Sequence, residues 1–136
     1  MRLKTGMIVV FTMISLMESG CTKYDAASLY EKIQKEIPSD FQSEGILHAE
    51  IMGNGLLVFF RSSNGLGIGF FEQQSNHWEW VTGSGYASLH PDDGLSVHHS
   101  NRDEASLYIS YGVITDLDIF AVRSSENKAK IVQMPD

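Results

Sequence analysis

The densest group of side chains that could bind a metal lies in the segment 90–104. Imidazole and carboxylate groups are ligands of divalent metals such as zinc, and the candidates here are His90, Asp92 and His98. Neighbouring residues of a strand point to opposite faces, so His98 and His99 cannot reach one ion together. Pro91-Asp92-Asp93-Gly94 is also explained by turn geometry alone. We therefore interpret the segment as solvated turns and predict no cofactor.

Two pairs of side chains have the composition of a general acid or base. His48 lies two residues before Glu50, and His77 lies two residues before Glu79, so each pair shares one face of a predicted strand. Such a pair is also the ordinary polar side of an amphipathic strand. We favour that second interpretation for both pairs.

The segment Gly83-Ser84-Gly85 could present a serine nucleophile. It lacks the Gly-x-Ser-x-Gly spacing of a hydrolase nucleophile turn, and no helical pattern follows it. We therefore predict that it is a plain turn. A small metal-dependent enzyme or hydrolase that uses the His90–Glu104 region remains the alternative to a non-catalytic function.

The main candidate for a binding surface consists of Trp78, Trp80 and Tyr86. Their rings could line a groove for a carbohydrate or a peptide, because an aromatic face binds apolar sugar faces and partner side chains alike. The other interpretation, which we favour, is core packing in a β domain that has no disulfide. Gly67 and Gly69 leave one face of their predicted strand bare, and the two tryptophans are candidates to cover it.

These side chains must be positioned by a series of short strands. From Gly45 onward, apolar or alternating runs are separated by turn residues at intervals of about 8–12 residues. The pattern predicts a mainly β fold, either an antiparallel meander or sandwich or a partly open barrel, with Leu56–Phe60 as the central strand. The predicted strands are Ile46–Met52, Leu56–Arg61, Leu66–Glu72, His77–Val81, Tyr86–Leu89, Leu95–His98, Ser106–Ile114, Ile119–Arg123 and Lys128–Val132.

One helix is predicted before the strands. Asp25 can cap its start, and Pro38 ends it by disfavouring helical geometry at the preceding residue. Two pairs with a spacing of four residues, Glu31 with Lys35 and Lys32 with Glu36, are predicted ion pairs on the polar side. An apolar stripe at helical spacing is expected to pack on the domain; its members are Ala26, Leu29, Tyr30, Ile33 and Ile37.

The first twenty residues have the layout of an export signal. A short basic segment precedes the uncharged apolar run Gly6–Met17, which is shorter than the ~20 residues that a helix needs to cross a hydrocarbon core. Ser19-Gly20-Cys21 resembles the lipobox of bacterial lipoproteins, in which the cysteine receives a diacylglyceryl group. Glu18 departs from the leucine of that family's pattern. Cys21 is the only cysteine of the chain, so it has no intramolecular disulfide partner.

The lipobox resemblance implies a signal peptide over residues 1–20. The length and the patterns of the remaining residues, 21–136, predict a single β-rich domain with its N-terminal helix. The resemblance also implies a lipid anchor on Cys21 and a location at the extracytoplasmic face of the cell membrane. Removal of residues 1–20 changes the formal net charge from −7 to −8, because two basic side chains and one acidic side chain are lost. Such a charge repels nucleic acid and anionic head groups, so we expect no nucleic acid partner.

The C-terminal part is similar to small uncharacterised lipoproteins of Gram-positive bacteria. The similarity is carried by Tyr111–Asp116 and by the apolar runs Ile119–Arg123 and Ala129–Val132. In that family a final aromatic strand follows, and this sequence has no counterpart of it after Val132. The resemblance therefore implies an open sheet edge, to which another chain could add a strand. We therefore predict a non-catalytic binding module for a protein or a cell-envelope component, anchored to the membrane by lipid.

Overall fold

The computed structural model describes residues 26–124 and 127–135. The predicted signal peptide over residues 1–20, the predicted lipidation site Cys21 and the predicted helix cap Asp25 lie outside the described residues. No helix in the described part of the chain is long and apolar enough to cross a membrane.

The described chain is mainly β, with antiparallel pairing throughout and one α-helix, as the sequence predicts. Helix α1 spans Ala26–Glu36, and short 3₁₀ turns occupy Ser39–Phe41 and Asp103–Ala105. The strands are β1 (Ser43–Met52), β2 (Gly55–Ser62), β3 (Gly65–Gln74), β4 (His77–Ala87), β5 (Leu95–Arg102), β6 (Leu107–Ile114), β7 (Arg123–Ser124) and β8 (Asn127–Lys128).

Strands β1 to β4 form an antiparallel meander in the order β1-β2-β3-β4. Two-residue connections at Gly53-Asn54, Ser63-Asn64 and Ser75-Asn76 join them, where the turn residues of the sequence predict reversals. The run Leu56–Phe60 lies in β2, which has neighbours on both sides and is buried along most of its length. The prediction of a central strand there is confirmed.

The predicted turn at Gly83-Ser84-Gly85 is wrong. The segment lies inside β4, so the two strands predicted on either side of it are one continuous strand paired with β3. The pairing register shifts twice along β4, between Trp80 and Thr82 and again between Ser84 and Ala87. Each shift adds one residue to β4, as in a β-bulge. The glycines of this segment therefore serve a bulged strand and close packing, and the chain does not reverse here.

Two predicted C-terminal strands are also wrong in extent. Strand geometry is confined to β7 and β8, and most of Ile119–Arg123 and Lys128–Val132 lies outside these strands. In the same region, Leu117 and Phe120 are almost fully exposed. A regular strand needs a neighbouring backbone to which it can hydrogen-bond. Strands β7 and β8 pair only with each other, over two residues each, so the predicted longer strands do not form.

The core is divided between the two faces of the meander. On one face, Ile33 of α1 and Ile37, which directly follows the helix, pack against buried residues of β2 and β3, so the predicted packing of the helical stripe is confirmed. On the other face, the β5–β6 hairpin packs through Leu107, Tyr111 and Val113. The molecule therefore has three layers: helix, four-stranded sheet and hairpin.

Candidate functional site

The structure does not bring the three metal candidates together. His90 and Asp92 belong to the turn before β5, in which the backbone N–H of Gly94 donates to the carbonyl oxygen of Pro91 at 3.2 Å. Gly94 has a φ of +78°, a conformation that favours glycine. The prediction of a turn at these residues is confirmed.

His98 and His99 lie on opposite sides of β5, as strand alternation predicts. The His98 ring lies 5.4 Å from the ring of the buried Tyr111. On the outer side, His99 Nδ1 lies 2.6 Å from Ser110 Oγ. Within residues 26–124 and 127–135, no group of three or more His, Cys, Asp or Glu side chains is arranged to hold a metal ion.

Trp80 and Tyr86 are held within the packing on the helix-facing side of the sheet. The Trp80 ring lies 4.9 Å from that of Phe41 and meets that of Phe71 edge to face at 5.4 Å. A methyl group added to Gly69 would collide with the Trp80 ring, so the expected cover of this glycine is confirmed. The hydroxyl of Tyr86 donates to the carbonyl oxygen of Phe41 at 3.0 Å.

Trp78 has a different environment from the other two candidates. It is partly buried and lines a groove of about 250 Å³ between α1 and the β3–β4 connection. We call this space the Trp78 groove. Its lining consists of Leu29, Lys32, Ile33, Lys35, Glu36, Gln73, Asn76, His77 and Trp78. The three candidate aromatic residues therefore do not form one surface, and Trp78 alone of them lines a groove.

Strand β1 forms one edge of the four-stranded sheet. It pairs with β2 on one side, and no strand of the described residues pairs with its other side. Its register is irregular between Ser43 and His48 and regular from His48 to Met52. At the end of the regular part, the side chains of Ile51 and Met52 are 77% and 41% exposed. We call this strand with its free side the β1 edge.

A cluster of three polar side chains lies beside the β1 edge. His48 Nε2 lies 2.7 Å from Glu50 Oε2, so the predicted sharing of a face is confirmed. Lys130 Nζ lies 2.5 Å from the other carboxylate oxygen of Glu50. The hydrogen bonds from Lys130 and His48 hold the pKa of Glu50 below its ordinary value. The other predicted pair, His77 and Glu79, is exposed and makes no such contact in the described chain.

The contact of Lys130 with Glu50 has no counterpart in the sequence pattern, because 80 residues separate the two. The same C-terminal segment packs Met134 against the core on the hairpin side of the sheet. Pro135 lies beside a second, shallow depression of about 220 Å³ that is lined by the first half of β1. The segment thus runs along β1 without joining its ladder.

A partly buried polar seam separates β4 from the hairpin, and sequence reasoning did not identify it. Thr82 Oγ1 donates to Glu104 Oε1 at 2.9 Å. The hydroxyl of Tyr111 donates to the carbonyl oxygen of Gly85. Ser100 Oγ and Arg102 Nε are buried and have no hydrogen-bond partner within the described residues.

Burial and hydrogen bonding shift two pKa values in this seam. Burial raises the pKa of Tyr111 to about 12. The pKa of Glu104 is lowered, first by a hydrogen bond from its own backbone N–H and then by that from Thr82. Both groups interact with hydroxyl side chains of β4, Tyr111 with Ser84 and Glu104 with Thr82, so the seam joins the hairpin to β4 by polar contacts.

The fold and these surfaces define a class of protein: a mainly β domain whose open meander carries a helix on one face and a hairpin on the other. No protein-family model, curated protein or solved structure matches the chain. With no related protein to compare, a function has to be inferred from the surface of the molecule. The β1 edge and the Trp78 groove are the two surfaces considered below.

Proposed function

We propose that this protein is a lipid-anchored, extracytoplasmic, non-catalytic module that binds an extended segment of a partner protein along the β1 edge. The observation that carries this proposal is the unpaired side of a ten-residue edge strand with exposed apolar residues at one end. Unpaired backbone N–H and C=O groups of an edge strand form a template for another strand. An added strand gains main-chain hydrogen bonds, and its alternate side chains provide specificity.

The regular half of β1 is the better docking segment. Edge strands are commonly protected from other chains by bulges, prolines or charged side chains. The irregular register before His48 gives such protection to the first half, but Ile51 and Met52 leave the end of the second half apolar. Glu50 is engaged by His48 and Lys130, which partly neutralise the one acidic side chain in this half.

The proposed anchor is supported by the lipobox resemblance at Ser19-Gly20-Cys21 and by the charge of the chain. A net charge of −7 opposes attachment to anionic lipid by electrostatics, whereas two acyl chains provide stable anchoring. Helix α1 begins at Ala26, five residues after Cys21. At most about 3.3–3.6 Å per residue, that connection holds the domain close to the bilayer.

Fatty-acid labelling in cells tests the anchor. Cells that express the wild-type chain or Cys21→Ala are grown with a labelled fatty acid such as palmitate, and the protein is isolated from the membrane fraction. We expect label on the wild type and none on Cys21→Ala, because the thiol is the attachment atom. Equal labelling of the two chains would contradict the anchor.

Site-specific photo-crosslinking tests the β1 edge. A photoreactive amino acid is placed at Ile51 or, as a matched exposed control, at Leu117 in the wild-type anchored chain. We expect a discrete crosslinked partner from position 51 and none from position 117. Ile51→Lys should reduce capture from a neighbouring probe at Met52 by about tenfold or more, because a charge on an edge opposes strand addition. Unchanged capture by Ile51→Lys would exclude this mode of binding.

A further inference from the structure

The Trp78 groove combines an apolar floor with a polar rim. Leu29, Ile33 and the indole of Trp78 supply apolar surface at the bottom, and the exposed side chains of Gln73 and Asn76 stand at the side. Its volume of about 250 Å³ is below the ~300–1,000 Å³ of sites for drug-sized ligands. The groove is therefore matched to a small ligand with one apolar face and several hydrogen-bonding groups.

Apart from Lys35, the polar side chains of this groove are not used for hydrogen bonds within the described part of the chain. In the described residues, the side chains of Lys32, Gln73, Asn76 and His77 and the indole N–H of Trp78 have no partner. Two glutamines outside the groove are paired: Gln34 bonds to Ser43, and Gln42 accepts from Ser63. A concentration of free donors around one indole is the arrangement that a polar ligand requires.

The groove has cationic side chains although the whole chain has a net charge of −7: its lining contains Lys32 and Lys35 with one carboxylate, Glu36. The predicted ion pair of Lys32 with Glu36 does not form in the described chain. Lys35 is shared with Glu31, which lies 3.4 Å from its ammonium group. Lys32 has no carboxylate within ion-pair distance in the described chain, so it is the cation available to an anionic ligand.

We propose that the Trp78 groove binds one ring of an acidic saccharide, a sugar that carries a carboxylate. The apolar face of the sugar packs on the indole of Trp78, and the amides of Gln73 and Asn76 bond to its hydroxyls. The ammonium of Lys32 pairs with the carboxylate. This site is separate from the β1 edge, because β1 and β4 are opposite edges of the sheet, and it goes beyond the proposed function.

The test is a nuclear magnetic resonance titration of the full, ¹⁵N-labelled chain in detergent micelles. The protein has two tryptophans, so the indole N–H of Trp80, which belongs to the packed aromatic cluster, is an internal control for that of Trp78. Trp78→Phe assigns the two signals. We expect glucuronate to move the Trp78 signal saturably and to leave the Trp80 signal in place.

Glucose and Lys32→Gln separate the contribution of charge from that of stacking. The wild type should bind glucuronate at least about tenfold more tightly than glucose, and Lys32→Gln should lose this preference while it keeps the fold. Ile51→Lys should titrate like the wild type, so failure of the β1 edge and failure of this site are distinguishable. The proposal is overturned if glucuronate leaves the Trp78 signal unmoved, if the wild type shows no preference over glucose, or if vesicles of phosphatidylglycerol move the signal and glucuronate does not.

Discussion

Within the described residues, the fold strongly affects the ionisation of Tyr111. Its side chain is buried between the hairpin and the sheet, and burial raises its pKa from 10.0 to about 12. The folded state therefore retains the phenolic proton more strongly than the unfolded state. The resulting stabilisation is complete below about pH 10 and is lost as the pH rises from about 10 through 12.

We predict that Tyr111→Phe removes most of this alkaline loss of stability. At neutral pH the variant should be less stable by about 1 kcal/mol, because the hydrogen bond to the carbonyl of Gly85 is lost. Between about pH 10 and 12 the wild type should lose about 2 kcal/mol that Tyr111→Phe does not lose. Urea unfolding at a series of pH values measures both effects. Tyr108→Phe, at a 68% exposed position, should keep the alkaline loss, and an equally steep loss in Tyr111→Phe would contradict the prediction.

At the scale of elements, β3 depends on the absence of side chains at alternate positions. Gly67 and Gly69 face the helix side of the sheet, where a methyl group would collide with Phe60 at the first position and with Trp80 at the second. The rings of β2 and β4 can therefore lie directly on the backbone of β3. This close approach explains why a strand in the centre of a sheet contains alternating glycines.

We predict that Gly69→Ala destabilises the protein by about 1–3 kcal/mol, because the added methyl group displaces the Trp80 ring from a packed cluster. Gly45→Ala is the matched control in β1, since a methyl group there meets no atom within 4 Å, and it should change stability by less than about 0.5 kcal/mol. Urea unfolding measures the difference, and near-ultraviolet circular dichroism reports the Trp80 environment. Equal effects of the two substitutions would show that Trp80 moves without cost.

At the scale of the whole molecule, one central sheet is shared by two cores. Ile33 of α1 is fully buried on one face, and Leu107 of the hairpin is buried on the other face. The sheet strands between them contribute side chains alternately to the two cores. Loss of either outer layer exposes apolar surface of the same sheet, so helix, sheet and hairpin should unfold together.

We predict that Ile33→Ala and Leu107→Ala each reduce the stability of one common unfolding transition by about 2–5 kcal/mol. The two residues belong to separate clusters on opposite faces, so their effects in the double variant should add. Chemical unfolding followed by far-ultraviolet circular dichroism and by tryptophan fluorescence provides the measurement. If the helical signal of Ile33→Ala is lost before the fluorescence transition, α1 is an independent unit and the prediction is wrong.

The elements were predictable wherever the local pattern and the tertiary environment agree. The helix, the meander turns and the central position of Leu56–Phe60 follow from periodicity and turn residues. Gly83-Ser84-Gly85 has the same local composition as those turns, but pairing with β3 and packing under Trp80 extend it into a strand. Local composition cannot distinguish a glycine in a turn from a strand glycine on which an aromatic ring packs, because that difference depends on the neighbouring strand.

The candidate surfaces show the same division. The sequence leaves Trp78, Trp80 and Tyr86 as either a binding surface or, as we favour, core packing; the structure places Trp80 and Tyr86 within packing and leaves Trp78 at a groove. Lys32 and Lys130 were not predicted as site residues. Lys32 lies beside polar residues of the β3–β4 connection, and Lys130 lies beside Glu50 of β1. These neighbours are distant in sequence, so residue spacing along the chain could not identify either lysine.

By itself, the sequence determined the antiparallel β class, the helix with its buried stripe, the three meander turns and the acidic charge. These are properties of short segments or of composition, so local propensity and periodicity are sufficient. Only the tertiary structure decided which aromatic ring lies in the core and which lines a groove, and which strands form the two edges of the sheet. Those outcomes depend on the packing of helix, sheet and hairpin against one another, because burial and hydrogen-bond pairing are set by contacts across the fold.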